Sequence, residues 1–178
     1  IQYEFPFGWK ELEGIHNRTD FDLRRHGEFS GKDLTYLDDG RGERFTPYVI
    51  ETSAGLTRTV LTVLCDAYDE DEAEGEKRVV LRLHPAVAPV TVGVFPLVKK
   101  DGLAELARDI ELGLREEFST FYDQGGAIGR RYRRQDEVGT PYCITIDYQT
   151  KADRPVNLRV RDSMQQVGIK IEDIPQAI

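Results

Sequence analysis

One short segment carries residues that suit a phosphate at the start of a helix. A β-rich run beginning at Tyr48 ends in the acid Glu51, Thr52 or Ser53 could cap a following helix, and Arg58 would fall in its first turn. A cation there opposes the helix dipole by about 0.3–1 kcal/mol, so we expect the arginine to serve a ligand. Backbone N–H groups at a helix start suit a phosphate. The alternative is an ordinary capped helix with a surface arginine.

The composition is that of a globular protein. The 178 residues are 39% hydrophobic and 31% charged, which fits one medium domain or a domain plus a fragment of another. No apolar run approaches the roughly 20 residues that span a bilayer, and the start of the chain has no signal-peptide pattern. We therefore expect a cytoplasmic protein without a membrane partner.

Charge is distributed unevenly along the chain. The net charge is −8, and seven acids lie between Asp66 and Glu76 with no basic residue among them. We expect this run to be a solvated surface loop. The region from Arg130 to Arg161 is instead rich in arginine, and local charge governs contact with phosphates. The two cysteines and three histidines have no metal-ligand spacing, which favours free thiols in a reducing compartment.

The first half of the chain alternates short strands with two helical segments. The second predicted helix has one apolar face, formed by Leu56, Val60, Leu61, Val63, Leu64 and Ala67. Hydrophobic periodicity and turn residues predict, in order, a strand over 9–15, a short helix or turn over 20–25, a loop over 27–33, an antiparallel pair at 34–37 and 45–51, that helix, and a strand over 77–83.

The second half is predicted to be a separate mixed α/β domain. Prolines in the segment from His84 to Pro89 disfavour helix and central strand, which marks a connector. The pattern after it predicts a buried strand over 90–97, a helix over 103–118, a strand over 120–122, a helix over 128–136, strands over 142–148 and 156–160, and a last short helix over 171–177.

Three long segments resemble glycyl-tRNA synthetases of the homodimeric class II type. Residues 7–23, FGWKELEGIHNRTDFDL, resemble the segment before the third signature motif, and residues 51–58, ETSAGLTR, resemble that motif. Residues 126–141, GAIGRRYRRQDEVGTP, resemble the anticodon-binding domain. The resemblance implies an α/β fold: residues 1–84 would be the C-terminal part of the antiparallel catalytic sheet, and residues 85–178 a mixed α/β anticodon-binding domain.

The resemblance also implies a glycine–tRNA ligase that uses ATP and Mg²⁺, forms glycyl-adenylate and transfers the glycyl group to tRNA(Gly). Arg58 would hold the ATP γ-phosphate, and Glu51 would help to bind ATP and its magnesium. Gly55 would let the backbone approach the adenine. Glu11 would bind the glycine ammonium group, and Ser53 would lie against the glycine α-carbon. Arg58 and Glu51 are the implied catalytic residues.

The implied RNA contacts lie in the arginine-rich region. Anticodon loops are recognised by stacking and by hydrogen bonds to base edges, and carboxylates accept hydrogen bonds from cytosine amino groups. For each arginine in this region, the alternative is a solvated surface charge or an ion pair with Asp136, Glu137 or Asp162. The candidates for contact with the anticodon are Arg131, Arg133, Arg134, Asp136, Glu137, Arg159, Arg161 and Asp162.

Neither of the two earlier signature motifs of such enzymes precedes Ile1. We therefore expect an incomplete portion of a homodimeric enzyme that does not form glycyl-adenylate by itself, with no DNA partner. One alternative is a non-catalytic, synthetase-like nucleic-acid-binding adaptor, against which the set Glu11, Ser53 and Arg58 argues. Another is a free-standing RNA-binding fragment, whose RNA affinity would fall steeply with salt.

Overall fold

The computed structural model describes residues 1–73, 75–152 and 155–178. The chain forms two compact units, Ile1–Cys65 and Asp66–Ile178. The predicted domain boundary between residues 84 and 85 stays a prediction, since compactness alone groups residues 66–84 with the second unit. Within the described ranges, no helix is long and apolar enough to cross a membrane.

The first unit is built from short two-stranded sheets and two helices. The elements are β1 (Gln2–Phe5), β2 (Gly8–Glu11), β3 (Glu13–Thr19), α1 (Phe21–Ser30), β4 (Tyr36–Asp38), β5 (Glu43–Phe45), β6 (Val49–Ala54) and α2 (Leu56–Ala67), whose last two residues fall in the second unit. The antiparallel pairs are β1–β2, β3–β6 and β4–β5.

Three predictions for this unit need correction. The strand predicted over 9–15 is interrupted at Leu12, so β2 pairs with β1 whereas β3 pairs with β6. Helix α1 runs through the predicted loop to Ser30 and ends at Gly31, whose φ of 68° lies in the left-handed region. Ion pairs one turn apart stabilise it, among them Arg24 with Asp20. The predicted pairing of 34–37 with 45–51 holds only as far as Phe45, because the rest pairs with β3.

Helix α2 lies where the sequence predicts it, but its cap differs. Thr52 and Ser53 belong to strand β6, so neither is the predicted cap. Gly55 directly precedes the helix, and its carbonyl accepts a hydrogen bond from the Thr59 N–H at 2.9 Å. Arg58 occupies the first turn as predicted. The predicted apolar face of α2 is largely exposed, with Leu56 78% accessible.

The second unit contains a five-stranded mixed sheet ordered β10-β9-β11-β12-β13. Its strands are β9 (Val92–Pro96), β10 (Thr120–Tyr122), β11 (Tyr142–Ile146), β12 (Val156–Val160) and β13 (Gln166–Ile169). The helices are α3 (Leu103–Leu114), α4 (Ile128–Val138), α5 (Tyr148–Lys151) and α6 (Ile174–Ala177). Pairing is parallel for β10–β9 and β9–β11 and antiparallel for the rest. The predicted mixed α/β fold is therefore confirmed, although β13 was not predicted.

The core of this unit lies between the sheet and helix α3. Every residue of β9 is buried, as expected for a strand covered on both faces. Leu103 and Ala107 of α3 pack against Val92, Val94 and Ile144 of the sheet. Val156 and Leu158 of strand β12 belong to the same core.

The acidic run does not form the predicted solvated loop. Residues Tyr68–Ala73 form strand β7, which pairs with β8 (Glu76–Leu81) in an antiparallel hairpin; Glu74 lies outside the described residues. Asp71 accepts hydrogen bonds from the guanidinium groups of Arg78 and Arg82, and Asp69 accepts one from Arg82 at 2.6 Å. Those hydrogen bonds lower the pKa of the Asp71 carboxyl below its usual value. The prediction of a solvated loop was wrong because the acids pair with Arg78 and Arg82, which lie beyond the end of the acidic run in sequence.

Candidate functional site

The first unit contains a cavity of about 530 Å³ that brings two predicted site residues together. Strand β2 ends at Glu11, and the first turn of α2 supplies Arg58. Arg58 Nη1 donates a hydrogen bond to the Glu11 carbonyl oxygen at 2.7 Å. The cavity is lined by Phe5, Phe7, Lys10, Glu11, Arg58 and Leu61.

The cavity offers both a cation and an anion to a ligand. Arg58 carries five N–H groups, and its hydrogen bond to the Glu11 carbonyl oxygen uses one of them. The Glu11 carboxylate is exposed and forms no hydrogen bond or ion pair with another described residue. The rings of Phe5 and Phe7 stack beside these groups, with centroids 5.1 Å apart. Such a site can bind a phosphate at the guanidinium and an ammonium at the carboxylate.

A second group of site candidates lies on one face of the β3–β6 pair. Glu51 and Ser53 are two residues apart on β6, opposite His16 and Gly14 of β3. The Glu51 carboxylate lies 3.4 Å from Arg18 Nε. Arg18 in turn donates a 2.7 Å hydrogen bond to Asp22, which raises the pKa of Arg18. Glu51 thus pairs with a guanidinium that is also bonded to Asp22, and the Glu51 side chain remains 42% exposed.

Neither Glu51 nor Ser53 lines the cavity formed by Glu11 and Arg58. Gly55 joins the two groups because it lies between β6 and α2. A Cβ added there would come no nearer than 3.8 Å to another heavy atom, the Arg58 Cβ, so the fold itself does not demand a glycine. Over the described ranges there is no cluster of three or more His, Cys, Asp or Glu for a metal. A magnesium ion would therefore depend on Glu51 together with oxygen atoms of its ligand.

Four of the predicted RNA-contacting residues are buried in the second unit, and their contact with the anticodon stays a prediction. Arg131, Asp136, Arg159 and Arg161 have at most 4% of their surface accessible. The Arg131 guanidinium donates to four main-chain carbonyl oxygens, the shortest bond being 2.6 Å to Pro96. Burial lowers the pKa of Arg131. This side chain therefore connects the chain segments around it.

Asp136 is the centre of a buried ion-pair network that we term the clasp, formed by Asp71, Arg78, Asp136 and Arg159. Both carboxylate oxygens of Asp136 accept hydrogen bonds from Arg159, at 2.8 and 3.0 Å. Arg78 donates to Asp136 at 3.3 Å and to Asp71 at 2.6 Å. The clasp connects the β7–β8 hairpin to helix α4 and strand β12.

The other candidates differ in exposure. Arg161 donates to the carbonyl oxygens of Leu83 and Gly139 and to the Asp162 carboxylate, which lowers the pKa of Asp162. Asp162 itself is exposed, as are Arg134 and Glu137, while Arg133 is half-buried. Contact of these four with RNA stays a prediction.

A cavity of about 500 Å³ lies beside the clasp. Arg133 and Arg159 line it, together with Glu76 and Gln166, which were not predicted to contact RNA. Glu76 lies in the acidic run, where nothing in the sequence distinguishes it from its neighbours, and Gln166 lies in the unpredicted strand β13. The lining also includes Arg130 and Tyr132 of α4.

Comparison with known proteins agrees with this architecture. Residues 91–178 match the family model described as an anticodon binding domain. The chain is 62% identical to the glycine–tRNA ligase of Treponema denticola over 95% of its own length and 39% of the relative's. The corresponding ligase of Borrelia hermsii is 56% identical, over 98% of this chain and 40% of that protein. The ligase of Caldanaerobacter subterraneus subsp. tengcongensis is 58% identical, over 98% of this chain and 37% of that protein.

The chain thus spans about 40% of the length of these curated relatives. A solved structure of the RNA binding domain of threonyl-tRNA synthetase from Cryptosporidium parvum Iowa II superposes with a TM-score of 0.72 at 18% identity. The superposition covers 99% of this chain and 40% of the threonyl-tRNA synthetase chain. At 18% identity, the similarity shows the fold alone. The resemblance predicted from the three sequence segments is confirmed.

Proposed function

Because this chain is homologous to about 40% of the length of the glycine–tRNA ligases, we propose that it is a portion of an enzyme that attaches glycine to tRNA(Gly) through glycyl-adenylate. The observation that carries the proposal is the cavity shared by Glu11 and Arg58 in a chain with this ancestry. That cavity combines an ammonium-binding carboxylate with a phosphate-binding guanidinium, and the reaction needs both.

In this proposal the residues position substrates and stabilise phosphate charge rather than transfer protons. Arg58 binds the γ-phosphate of ATP with the N–H groups that Glu11 does not use. The Glu11 side chain binds the ammonium group of glycine, and Ser53 limits the space at its α-carbon. Glu51, oriented by Arg18, holds ATP and Mg²⁺, and Gly55 admits the adenine. Magnesium neutralises phosphate charge when it is bound.

The same proposal assigns the second unit to binding the anticodon of tRNA(Gly). Its support is the family-model match over residues 91–178 and the exposed or half-buried charged side chains of Arg133, Arg134, Glu137 and Asp162. The longer protein is proposed to act as a homodimer in the cytoplasm, where tRNA is charged.

The proposal is tested by changing Arg58 in the longer polypeptide that contains this chain. Glycine-dependent ATP–pyrophosphate exchange by Arg58→Ala is expected to fall roughly 100- to 1000-fold, as when one preorganised donor to developing charge is removed. Arg24→Ala is the matched control, because Arg24 pairs with Asp20 on the surface of α1. We expect it to change the rate less than about threefold, since surface pairs contribute little.

Undiminished exchange by Arg58→Ala would contradict the assigned role. If the unaltered protein binds tRNA but shows no exchange, the adaptor alternative holds instead. The two outcomes are separable because tRNA binding and exchange are measured on the same preparation.

A further inference from the structure

The β7–β8 hairpin lies outside residues 91–178, yet it is fastened to elements inside that range. Arg78 of β8 has a fully buried side chain. Its Nη1 donates to Asp136 of α4 at 3.3 Å and to the carbonyl oxygen of Arg161 at 2.9 Å. Removing one partner from a buried charge network is costly. The hairpin is therefore an integral part of the second unit.

The clasp determines where the Arg159 guanidinium lies. Asp136 accepts one hydrogen bond from each terminal nitrogen of Arg159, a bidentate geometry that fixes the guanidinium plane. The same guanidinium lies over the ring of Tyr132, 4.9 Å from its centroid. Both Arg159 and Tyr132 line the 500 Å³ cavity. Arg78 of β8 bonds to Asp136, and Asp136 bonds to Arg159. Arg78 therefore influences the cavity wall although it does not line the cavity.

The hairpin also supplies the cavity with its negative charge. Glu76 is the one carboxylate among the described lining residues, and the cations Arg130, Arg133 and Arg159 line the same cavity. Gln166 of β13 adds an amide that can donate and accept. A volume of about 500 Å³ is within the range of small-ligand pockets. Guanidinium donors and a carboxylate acceptor that line one cavity suit a nucleobase edge that carries both a carbonyl and an amino group.

We propose that this cavity receives one unpaired anticodon base with an exocyclic amino group, and that the hairpin determines its specificity. Glu76 accepts the hydrogen bond of the amino group. Arg78 is a positioning residue: it holds Asp136, and through Asp136 it holds Arg159 against the cavity. The inference rests on the proposed function, since it requires that the second unit binds the tRNA(Gly) anticodon.

The experiment uses the 178-residue chain and synthetic anticodon stem-loops. Glycine codons begin with two guanines, so the anticodon contains two cytosines, and the comparison ligands carry uracil in place of either one. Uracil presents a carbonyl where cytosine presents its amino group. Glu76→Gln keeps the size of the side chain but removes the charge. We expect it to reduce the preference for one cytosine over uracil roughly 5- to 100-fold.

Glu72→Gln is the matched control, because Glu72 is an exposed acid on β7 of the same hairpin and does not line the cavity. The Glu72→Gln chain should prefer cytosine over uracil by the same factor as the unaltered chain. If Glu76→Gln discriminates like the unaltered chain, the inference is overturned while the proposed function stands. If the unaltered chain binds no stem-loop, the proposed anticodon function fails, and the inference fails with it.

Arg78→Lys tests the positioning role separately. Lysine keeps the positive charge but cannot bridge Asp71 and Asp136 with a planar fork. We expect a lower melting temperature and also a reduced ratio of cytosine to uracil affinity. A merely structural role would lower the folded fraction and weaken both stem-loops equally. An unchanged ratio would therefore exclude positioning by Arg78.

Discussion

Gly55 occupies the junction between strand β6 and helix α2, where the chain itself leaves room for a side chain. The nearest heavy atom to an added Cβ is 3.8 Å away, an ordinary van der Waals contact. Its backbone is not in the left-handed region that favours glycine. In the proposed function, the requirement for glycine at this position comes from the contact with adenine rather than from the fold.

Gly55→Ala should therefore separate stability from nucleotide binding. We expect the free energy of unfolding to change by less than about 1 kcal/mol, the range of glycine-to-alanine effects without strain. In the longer enzyme, the KM for ATP should rise at least about tenfold, because a methyl group would occupy space used by the base. Urea unfolding and steady-state exchange kinetics measure the two quantities. An unaltered KM would remove Gly55 from the nucleotide site.

The buried arginines show what a single sequence does and does not predict at the scale of residues. The motif around Arg58 is local, so its position in the first turn of α2 followed directly from the sequence. Arg131, Arg159 and Arg161 instead bond to groups that are distant in sequence, such as Pro96, Asp136 and Leu83. A charged residue with a distant partner looks like a surface residue in the sequence, so the sequence does not predict that these three arginines are buried.

Helix α3 is attached to the edge strand β10 by a buried carboxylate. Glu111 has no accessible surface and accepts hydrogen bonds from Arg115 Nε and from the Thr120 hydroxyl, both at 2.6 Å. Burial alone would raise the pKa of Glu111, but the hydrogen bonds from Thr120 and Arg115 outweigh burial and lower it below its ordinary value of 4.5. The folded state therefore favours the ionised form.

This pKa shift predicts a pH-dependent contribution to stability. A carboxyl whose pKa is depressed on folding stabilises the fold above its unfolded pKa and loses that contribution as the pH falls through the folded pKa. At pH 7, Glu111→Gln should lower the free energy of unfolding by about 1–3 kcal/mol, because buried donors lose their charged acceptor. The difference from the unaltered chain should be constant above pH 5 and shrink progressively below pH 4.5. Urea titrations between pH 7 and pH 3 measure it.

Glu116→Gln provides the comparison, since Glu116 is exposed just beyond the same helix. Its effect at pH 7 should lie within about 0.5 kcal/mol, as for most surface substitutions. A Glu111→Gln deficit that stayed the same down to pH 3 would show that the carboxylate contributes by packing rather than by charge.

Elements whose pattern is complete in the local sequence were predicted well. Strands β10 and β12 have the predicted bounds, and β9, α3 and α4 differ from their predictions by a few residues at most at each end. Strand β8 was predicted as a strand over 77–83, whereas β13 and β7 were missed, because their pairing depends on β12 and on Arg78 rather than on their own periodicity. Pairing partners of this kind are not visible in a window of a few residues.

At the scale of the whole chain, the two units differ in how much apolar surface each buries. In the first unit, Ile15 and Ile50 on the β3–β6 pair and Leu56 on α2 are each at least 59% exposed. In the second unit, strand β9 and the facing residues of α3 are almost inaccessible to water. Apolar surface exposed to this extent is expected to be covered by another part of a protein. The second unit has the core that independent binding requires, whereas the first keeps its charged groups in water.

This difference predicts that the 178-residue chain binds RNA but does not activate glycine. Stabilisation of phosphate charge is strong in a water-excluded site and weak in an exposed one, and Glu11 and Arg58 are both exposed. We therefore expect no glycine-dependent ATP–pyrophosphate exchange above background. An anticodon stem-loop should bind with an affinity that falls linearly with salt on logarithmic axes, by about 0.7 per phosphate contacted in a single strand. Fluorescence anisotropy at several salt concentrations measures the slope. Measurable exchange by the chain alone would show that the cavity of Glu11 and Arg58 suffices for adenylate formation, and salt-independent binding would show that the arginines do not contact phosphates.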